Sequence, residues 1–518
     1  MHETIAILDY GSQYTQLIAR RVRELGVYSA ILPPDVTADE LKAHDLKGIV
    51  LSGGPNSVYA EGSPGLPDGL LDLGVPVLGV CYGMQLLAHT QGGKVVPSDH
   101  REYGLAKLTV LTEDALFAGL GADEPCWMSH GDRVEALPEG FRAIANSGAG
   151  VLAAMSHPER RIYALQFHPE VTHTVPGRQI LSNFLFDICR CAGDWDLADY
   201  VDEISAEIRA QVGDRPVVSL VSGGVDSTVA TALLLKALPA EQVYALHIDS
   251  GLMRRSESLQ VMGSLEALGL RHLRLVEAEA EFLAALAGKS DPEEKRHAIG
   301  DTFIEVQERE LAAMGLPANA FLCQGTLYTD LIESGHGKGG HSATIKTHHN
   351  VGTPAIKAKR EAGLVVEPNK GIFKDEVRAM GERLGLSHDL VHRHPFPGPG
   401  LGIRVLGEVT KDKLEILRRV DEILVEELHA RKLYDKIWQA FAVLPDAKSV
   451  GVMGDFRTYE HVAVLRAVTS IDGMTADAYH FPWDDLTGIS RRITNEVRGV
   501  NRVVYDVSSK PPSTIEWE

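Results

Sequence analysis

The run Gly79-Val80-Cys81-Tyr82-Gly83 sets one thiol between two glycines. A core cysteine has no need of flanking glycines, whereas a nucleophile pushed out of a tight turn does. The residues before it are strand-like, and Met84-Gln85-Leu86-Leu87-Ala88 after it are helix-like. The sulfur would then sit over a helix N-terminus, which favours the thiolate. Glycine-flanked cysteines also occur in structural turns, so the reading needs partners. His168, at the end of the strand-like Tyr163-Ala164-Leu165-Gln166-Phe167, supplies a base, and Glu170 two residues on supplies an orienting carboxylate. Ser52-Gly53-Gly54-Pro55 ends another strand-like run. Its N–H groups suit a tetrahedral oxyanion, although a plain glycine turn has the same composition.

A second chemistry lies in residues 217–228, VVSLVSGGVDST. A strand runs into Ser222-Gly223-Gly224-Val225-Asp226-Ser227, and a helix follows. Glycines let backbone N–H groups close on phosphate oxygens, and the helix N-terminus adds a favourable dipole. The Gly-Lys-Ser/Thr ending of a Walker loop is absent. Asp226 is the carboxylate suited to Mg²⁺, a hard cation that prefers oxygen. Residues 343–360 gather Lys346, His348, His349, Lys357, Lys359 and Arg360. They read either as a solvated basic loop or as a lid that brings positive charge to phosphates. A paired-histidine zinc site is a weaker third reading, since no thiolate or carboxylate stands at useful spacing.

These groups need elements to hold them. The first 190 residues alternate strand, turn and helix, which argues for a mostly parallel α/β sheet with chemistry at the carboxyl ends of its strands. A polar amphipathic segment, WDLADYVDEISAEIRAQVGDRP, follows, and a second α/β rhythm begins at Val217. Past residue 395 the Pro/Gly-rich HPFPGPGLG opens a small α+β region. The expected domains are therefore 1–194, 195–394 and 395–518.

Composition bounds the function. The chain has 518 residues and a net charge of −20, the wrong sign for a general nucleic-acid binder. Five dispersed cysteines make a poor disulfide framework. Cys189-Arg190-Cys191 is a weak metal signal. With no signal-peptide pattern at Met1–Gly11 and no long apolar run, the expectation is a cytoplasmic protein without membrane contact.

The motifs SGGP, GVCYGMQ and FHPE resemble those of the class I glutamine amidotransferases, a flavodoxin-like fold. The resemblance implies that Cys81 attacks the side-chain amide of glutamine, that His168 is general base and acid, and that Glu170 orients it. It further implies an oxyanion hole from Gly53, with Gly54 beside it, and the backbone of Tyr82, and contact of Gln85 with substrate. SGGVDS resembles the pyrophosphate-binding loop of the Rossmann-like N-type ATP pyrophosphatases. That implies an ATP site at Ser222, Gly223, Gly224, Val225, Asp226 and Ser227, with His247, Asp249 and Gly325 near the nucleotide and Asp226 on Mg²⁺.

QGTLYTDLIESG, IKTHHNVG, FKDEVR, HPFPGPGLGIRVLGEV and the tail YDVSSKPPSTIEWE extend the likeness over the chain, to the family of glutamine-hydrolysing GMP synthetases. What this implies is adenylation of XMP by ATP and displacement of AMP by ammonia, in a homodimer joined by the third domain. XMP would meet Pro397, Gly398, Gly400, Lys510, Thr514 and Glu516, under a lid carrying Lys346, His348 and His349. Three places depart from the family pattern: Thr353 and Ser513, where glycine is usual, and Asn369-Lys370-Gly371, where a leucine-bearing helical segment is commoner. The alternative is another amidating or tRNA-modifying enzyme of the same ATP-cleaving class.

Overall fold

The structure, a computed structural model, describes residues 2–148, 150–328, 354–470 and 475–518. It divides into two units, one holding the described residues up to Asp199 and the other those from Tyr200 to Glu518.

The first unit is built on a nine-stranded sheet. Its strands are β1 (Glu3–Leu8), β2 (Tyr28–Leu32), β3 (Asp45–Leu51), β4 (Val77–Val80), β5 (Lys94–Val110), β6 (Asp123–Ala136), β7 (Arg142–Ser147), β8 (Leu152–His157) and β9 (Ile162–Leu165), in the order β2-β1-β3-β4-β9-β8-β7-β5-β6. The half from β2 to β9 is parallel. Ile5–Leu8, Ile49–Leu51 and Val77–Val80 are buried, as expected of strands covered on both faces. The other half, β8 to β6, is antiparallel. The sequence reading anticipates the parallel half and passes over the antiparallel extension. There, along β6, buried Cys126, Met128 and His130 alternate with more exposed neighbours.

The glycines around Cys81 answer to packing. A Cβ on Gly79 would lie 2.7 Å from the backbone of Gly83, and one on Gly83 would lie 2.4 Å from the Leu51 carbonyl of β3. The helix Tyr82–Thr90 thus crosses the sheet at a distance only glycine allows. Gly83→Ala is expected to destabilise the first unit by about 1–3 kcal/mol through overpacking, read as an earlier thermal loss of glutaminase activity. An unchanged thermal midpoint would contradict this.

The helix Leu197–Val212, which runs into the second unit at Tyr200, buries Tyr200, Val201, Ile204, Ile208 and Val212. Its first sheet is wholly parallel: β10 (Val217–Leu220), β11 (Val243–Asp249), β12 (His272–Glu277), β13 (Phe321–Cys323) and β14 (Val365–Val366), ordered β12-β11-β10-β13-β14. A second sheet joins β15 (Gln439–Val443), β16 (Lys448–Met453), β17 (Phe456–Thr469), β18 (Asp477–Ala478) and β19 (Val500–Asp506) around β17, mostly antiparallel, with the long helix Lys411–Ala430 beside it. One apolar core serves both sheets, taking Val218, Leu246 and Leu322 from the first and Ala440, Leu465 and Val500 from the second. Among the described residues, no helix is long and apolar enough to cross a membrane.

Candidate active sites

In the first unit, Cys81 follows β4 with φ 52° and ψ −103°, a backbone region that L-residues rarely adopt. Its N–H donates to the Leu165 carbonyl at 2.7 Å, and the Cys81 carbonyl accepts from the Gln85 N–H at 3.2 Å. The turn is thus pinned on both sides and presents Sγ at the strand end. His168 Nδ1 pairs with Glu170 Oε1 at 2.6 Å, both side chains buried. The Cys81 side chain is among the groups that raise the His168 pKa, and with Nδ1 taken by Glu170 the nitrogen left to act on the thiol is Nε2. Thr174 Oγ1 donates to the His168 carbonyl at 2.6 Å, and the Tyr14 ring meets the imidazole edge-on at 4.9 Å.

Burial alone would push the His168 pKa down. The Glu170 carboxylate, then the Cys81 sulfur, outweigh it and hold the pKa well above 6.5. A raised folded-state value means that the charged pair stabilises the fold fully below the unfolded pKa, and that this contribution is lost as pH rises through the folded value. Glu170→Gln should therefore lower the His168 pKa, visible in imidazole NMR shifts. It should also cut glutaminase by about 10²–10⁴-fold, since the imidazole loses its orienting partner. A histidine titrating as before would contradict the role given to Glu170.

Gly53 lies against this pair, for a Cβ there would be 3.3 Å from His168 Cε1. Gly54 is pressed to the Tyr10 carbonyl, 2.5 Å from where its Cβ would stand. Tyr82 opens its helix, so its N–H has no intrahelical acceptor. Gln85 is buried and donates to the Asp132 carbonyl at 3.0 Å and to Gln166 Oε1 at 3.2 Å. Sequence reasoning missed the segment Ser129–Asp132 of β6. The Ser129 carbonyl is 3.6 Å from Cys81 Sγ, and the Asp132 carboxylate takes hydrogen bonds from Ser57 and Tyr59, just past the Ser52–Pro55 turn. The paired acid and hydroxyls sat in plain view as Ser-His-Gly-Asp and Asn-Ser-Val-Tyr, but only the fold brings them together.

In the second unit, β10 runs through Val221 into the loop. Gly223 has φ +85°, and Gly224 caps the helix Val225–Ala237. Ser227 Oγ accepts from the Ser222 N–H at 3.2 Å and donates to the Gly224 carbonyl at 3.1 Å. Thr228 Oγ1 donates to the same carbonyl at 2.9 Å. The side chains thus tie the loop from within. Asp226 Oδ2 is ion-paired with Lys374, whereas its Oδ1 is buried with no partner among the described residues. Asn369, fully buried, donates through Nδ2 to the Asp226 carbonyl at 2.8 Å. The departure at Asn369 therefore steadies the first turn of the phosphate-loop helix.

His247 pairs its Nδ1 with the Val221 carbonyl at 2.6 Å, which makes Nδ1 the N–H and leaves buried Nε2 as a bare acceptor among the described residues. Asp249 spends one carboxylate oxygen on the Gly251 N–H at 2.9 Å. Gly325 packs on the loop's own backbone, where a Cβ would lie 2.8 Å from the Ser227 nitrogen. Arg393, which sequence reasoning passed over, aims a guanidinium nitrogen to 3.6 Å from where a Gly223 Cβ would be, and is held by Glu257 at 2.6 Å. Lys346, His348 and His349 lie outside the described residues, as does Thr353.

The Pro-Gly loop and the tail also meet in the second unit. Gly400 (φ +64°) accepts no Cβ, since the Leu252 carbonyl would be 2.4 Å away, and its N–H bonds the Pro397 carbonyl at 2.9 Å. Gly398 faces open space. Gln439 links the two stretches, donating to the Pro395 carbonyl at 3.0 Å and to Glu516 at 2.8 Å. The Glu516 carboxylate is gripped by both nitrogens of Arg404, a fully buried guanidinium, at 2.8 and 3.1 Å. Thr514 donates to the Glu516 carbonyl, and Lys510 pairs by its backbone with Ala476. Ser513 Oγ donates to the Ser509 carbonyl at 2.8 Å.

The cysteine pair Cys189 and Cys191 is buried and free. Burial pushes both thiols up, that of Cys191 to about 12. They belong to no three-ligand cluster among the described residues.

Two chemistries on one chain, a thiol–imidazole–carboxylate triad and a glycine loop of the ATP-cleaving kind, define a glutamine-dependent ligase. Comparison with known proteins agrees. Residues 6–188 match the family model of class I glutamine amidotransferases, 203–289 that of asparagine synthase, and 426–517 that of the GMP synthase C-terminal domain. The chain is 53% identical over 515 residues to the glutamine-hydrolysing GMP synthase of Aquifex aeolicus (strain VF5), covering 99% of both chains. It is 51% identical to that of Heliobacterium modesticaldum (100% of this chain, 99% of that one) and 52% identical to that of Geobacillus kaustophilus, with the same coverage. The chain belongs to the family of glutamine-hydrolysing GMP synthases. Membership does not favour a tRNA-modifying role. Neither does Cys323, the one cysteine beside the phosphate loop, which is buried with its thiol pushed up to about 12.

Proposed function

We propose that the chain makes GMP by two half-reactions carried by residues far apart in its sequence. Cys81 Sγ attacks the amide carbon of glutamine while His168 Nε2 manages the proton, and Glu170 keeps the imidazole in register. The carbonyl oxygen, negative in the tetrahedral state, falls to the Gly53 and Tyr82 N–H groups. Ammonia leaves with the proton from His168, and water then releases glutamate from the thioester.

In the second unit, the loop Ser222–Ser227 takes the β- and γ-phosphates of ATP on its backbone N–H groups and at the head of its helix. The O2 of XMP attacks the α-phosphorus, and pyrophosphate departs. Ammonia then attacks C2, and AMP leaves with the former O2. The Nε2 of His247, without a partner among the described residues, with Asp249 and Gly325 beside the loop, suits the nucleotide end of ATP. Lys374 and Arg393 add positive charge at its phosphate end. The buried Oδ1 of Asp226, without a partner among the described residues, fits Mg²⁺, and the carboxylate would hold it. When bound, the ion neutralises charge on the phosphates. For XMP we assign Pro397, Gly398, Gly400, Lys510, Thr514 and Glu516. Glu516 acts through its pair with Arg404, and Lys346, His348 and His349 serve as the lid.

The observation that carries this reading is the coexistence of the Cys81, His168 and Glu170 side chains at one strand end with a phosphate loop whose carboxylate keeps one buried oxygen without a partner among the described residues. Its test is an isotope experiment. With XMP carrying heavy oxygen at O2, the label should appear in AMP. Label in pyrophosphate or water would overturn the adenylation step.

We further assign residues 1–194 to glutamine hydrolysis, 195–394 to ATP cleavage and 395–518 to XMP binding and dimer formation, in the cytoplasm. Val450, Val452 and Tyr459, which share one face of β16 and β17, are 45, 77 and 67% exposed, an apolar surface suited to a second copy. Val452→Asp with Tyr459→Asp should halve the mass seen by analytical ultracentrifugation, and an unaltered dimer would contradict the placement.

A further inference from the structure

The helix Lys374–Arg383 ends in a turn that doubles the chain back on itself. Gly385, at φ +90°, closes it, with Gly385 N–H on the Glu382 carbonyl and Leu386 N–H on the Gly381 carbonyl, both at 3.0 Å. One further short helix, His388–Val391, capped by His392, then sets two histidines four residues apart past the last turn of the first. Four-residue spacing puts both imidazoles on one face. The rings stack with centroids 4.2 Å apart. Both turn to the same oxygen: His388 Nδ1 is 2.9 Å and His392 Nε2 is 3.0 Å from Glu382 Oε1.

We propose that Glu382, His388 and His392 form a binding site for one divalent transition cation, zinc foremost, with a fourth position open to water. The ligating atoms all lie within 4.8 Å of one another. Donors about 2.0 Å from a tetrahedral zinc stand about 3.3 Å apart, so the two N···O separations need widen by only a few tenths of an ångström. In the metal-free arrangement Glu382 can only accept, so each imidazole gives it an N–H. The cation takes the place of those two protons. His388 then carries its hydrogen on Nε2, which faces Asp435 Oδ1 at 3.7 Å, the carboxylate–histidine–metal order that fixes a ligand ring.

The donor set decides which metal. Two imidazoles and one carboxylate suit zinc and its neighbours, whereas Mg²⁺ prefers oxygen alone. The site is therefore not a second place for the ion at Asp226. Partial exposure of all three side chains, 58% for His388, 33% for His392 and 45% for Glu382, leaves room for the water and for exchange with solvent. None of the three residues is among those assigned to glutamine, ATP or XMP, so the role given to the cluster is binding and local stiffening. His392 adjoins Arg393, the residue aimed at Gly223.

The test uses the full chain carrying Cys81→Ala, which removes the thiol most able to take metal elsewhere. Zinc is titrated by equilibrium dialysis, and cobalt serves as a spectroscopic probe of the coordination sphere. The expected result is one equivalent of zinc and visible cobalt bands of tetrahedral strength. His388→Ala with His392→Ala, and separately Glu382→Gln, should each weaken binding by at least about tenfold. Circular dichroism unchanged from the parent shows that these surface variants fold. Binding with the same stoichiometry and affinity in the double-histidine variant overturns the proposal, as does the absence of any binding by the parent chain.

Discussion

Replacing Cys81 with alanine is expected to abolish GMP formation from glutamine while leaving formation from ammonium within about twofold of the unaltered chain. The first effect follows from the site. Without the sulfur there is no thioester, and His168 and the two N–H groups have only water to work with. The loss should be roughly 10³-fold or more, the scale seen when one member of a nucleophile–base pair is removed. The second effect follows from chain placement. Cys81 sits at the end of β4 in the first unit, and the phosphate loop at the end of β10 in the second. Alanine also keeps the packing intact, because the tight approaches at the elbow belong to Gly79 and Gly83 rather than to the side chain between them. The measurement is GMP formation with each nitrogen donor in turn. Parallel loss with both donors would contradict the division of labour.

Asp226→Asn is expected to do the opposite, removing synthesis with either donor. The carboxylate at the first turn of the helix Val225–Ala237 is the one acidic side chain of its loop, and its Oδ1 has no protein partner among the described residues. The amide keeps the shape and loses the charge that would hold a hard cation beside the phosphates. A loss of about 10²–10³-fold is the scale for one electrostatic group in such a transfer. The variant also leaves Lys374 without its ion pair. Lys374→Met separates the two causes. If the ion pair alone mattered, both variants would fall equally; if the carboxylate holds a cation, Asp226→Asn falls further. XMP-dependent release of pyrophosphate is the readout, and a rate above about a tenth of the parent's in Asp226→Asn would contradict the assignment.

Much of the site was legible in the chain because its chemistry is local. A thiol between glycines, a His-Pro-Glu at a strand end and a Ser-Gly-Gly-Val-Asp-Ser before a helix each fit within a few residues, and each lands where a parallel strand stops. The parallel strands announced themselves as continuous runs of Val, Ile and Leu. The antiparallel extension β5–β8 did not, because a strand with one face exposed mixes Asp, Glu and Arg among its buried residues, as Asp123–Ala136 does.

Partners that come from distant chain were harder to see. Ser129 and Asp132 reach Cys81 and Gln85 only through sheet order, and Arg393 reaches Gly223 across 170 residues. Asn369 departs from the family pattern with no reason visible in the sequence, and its amide on the Asp226 carbonyl supplies one. Glu516 reads in the sequence as a contact for XMP, and nothing local hints at Arg404, a guanidinium buried 112 residues away. The tail is anchored by such long-range pairs, among them Glu518 on the buried Lys295 and Trp517 Nε1 on Asp506 at 2.9 Å.

The measurement closest to the central claim is a product balance on the purified chain with XMP, ATP-Mg²⁺ and glutamine. Glutamate, GMP, AMP and pyrophosphate should form in equal amounts, and ammonium should replace glutamine with glutamate alone missing from the products. Pyrophosphate release that ignores XMP, or GMP formed without matching AMP, would contradict it.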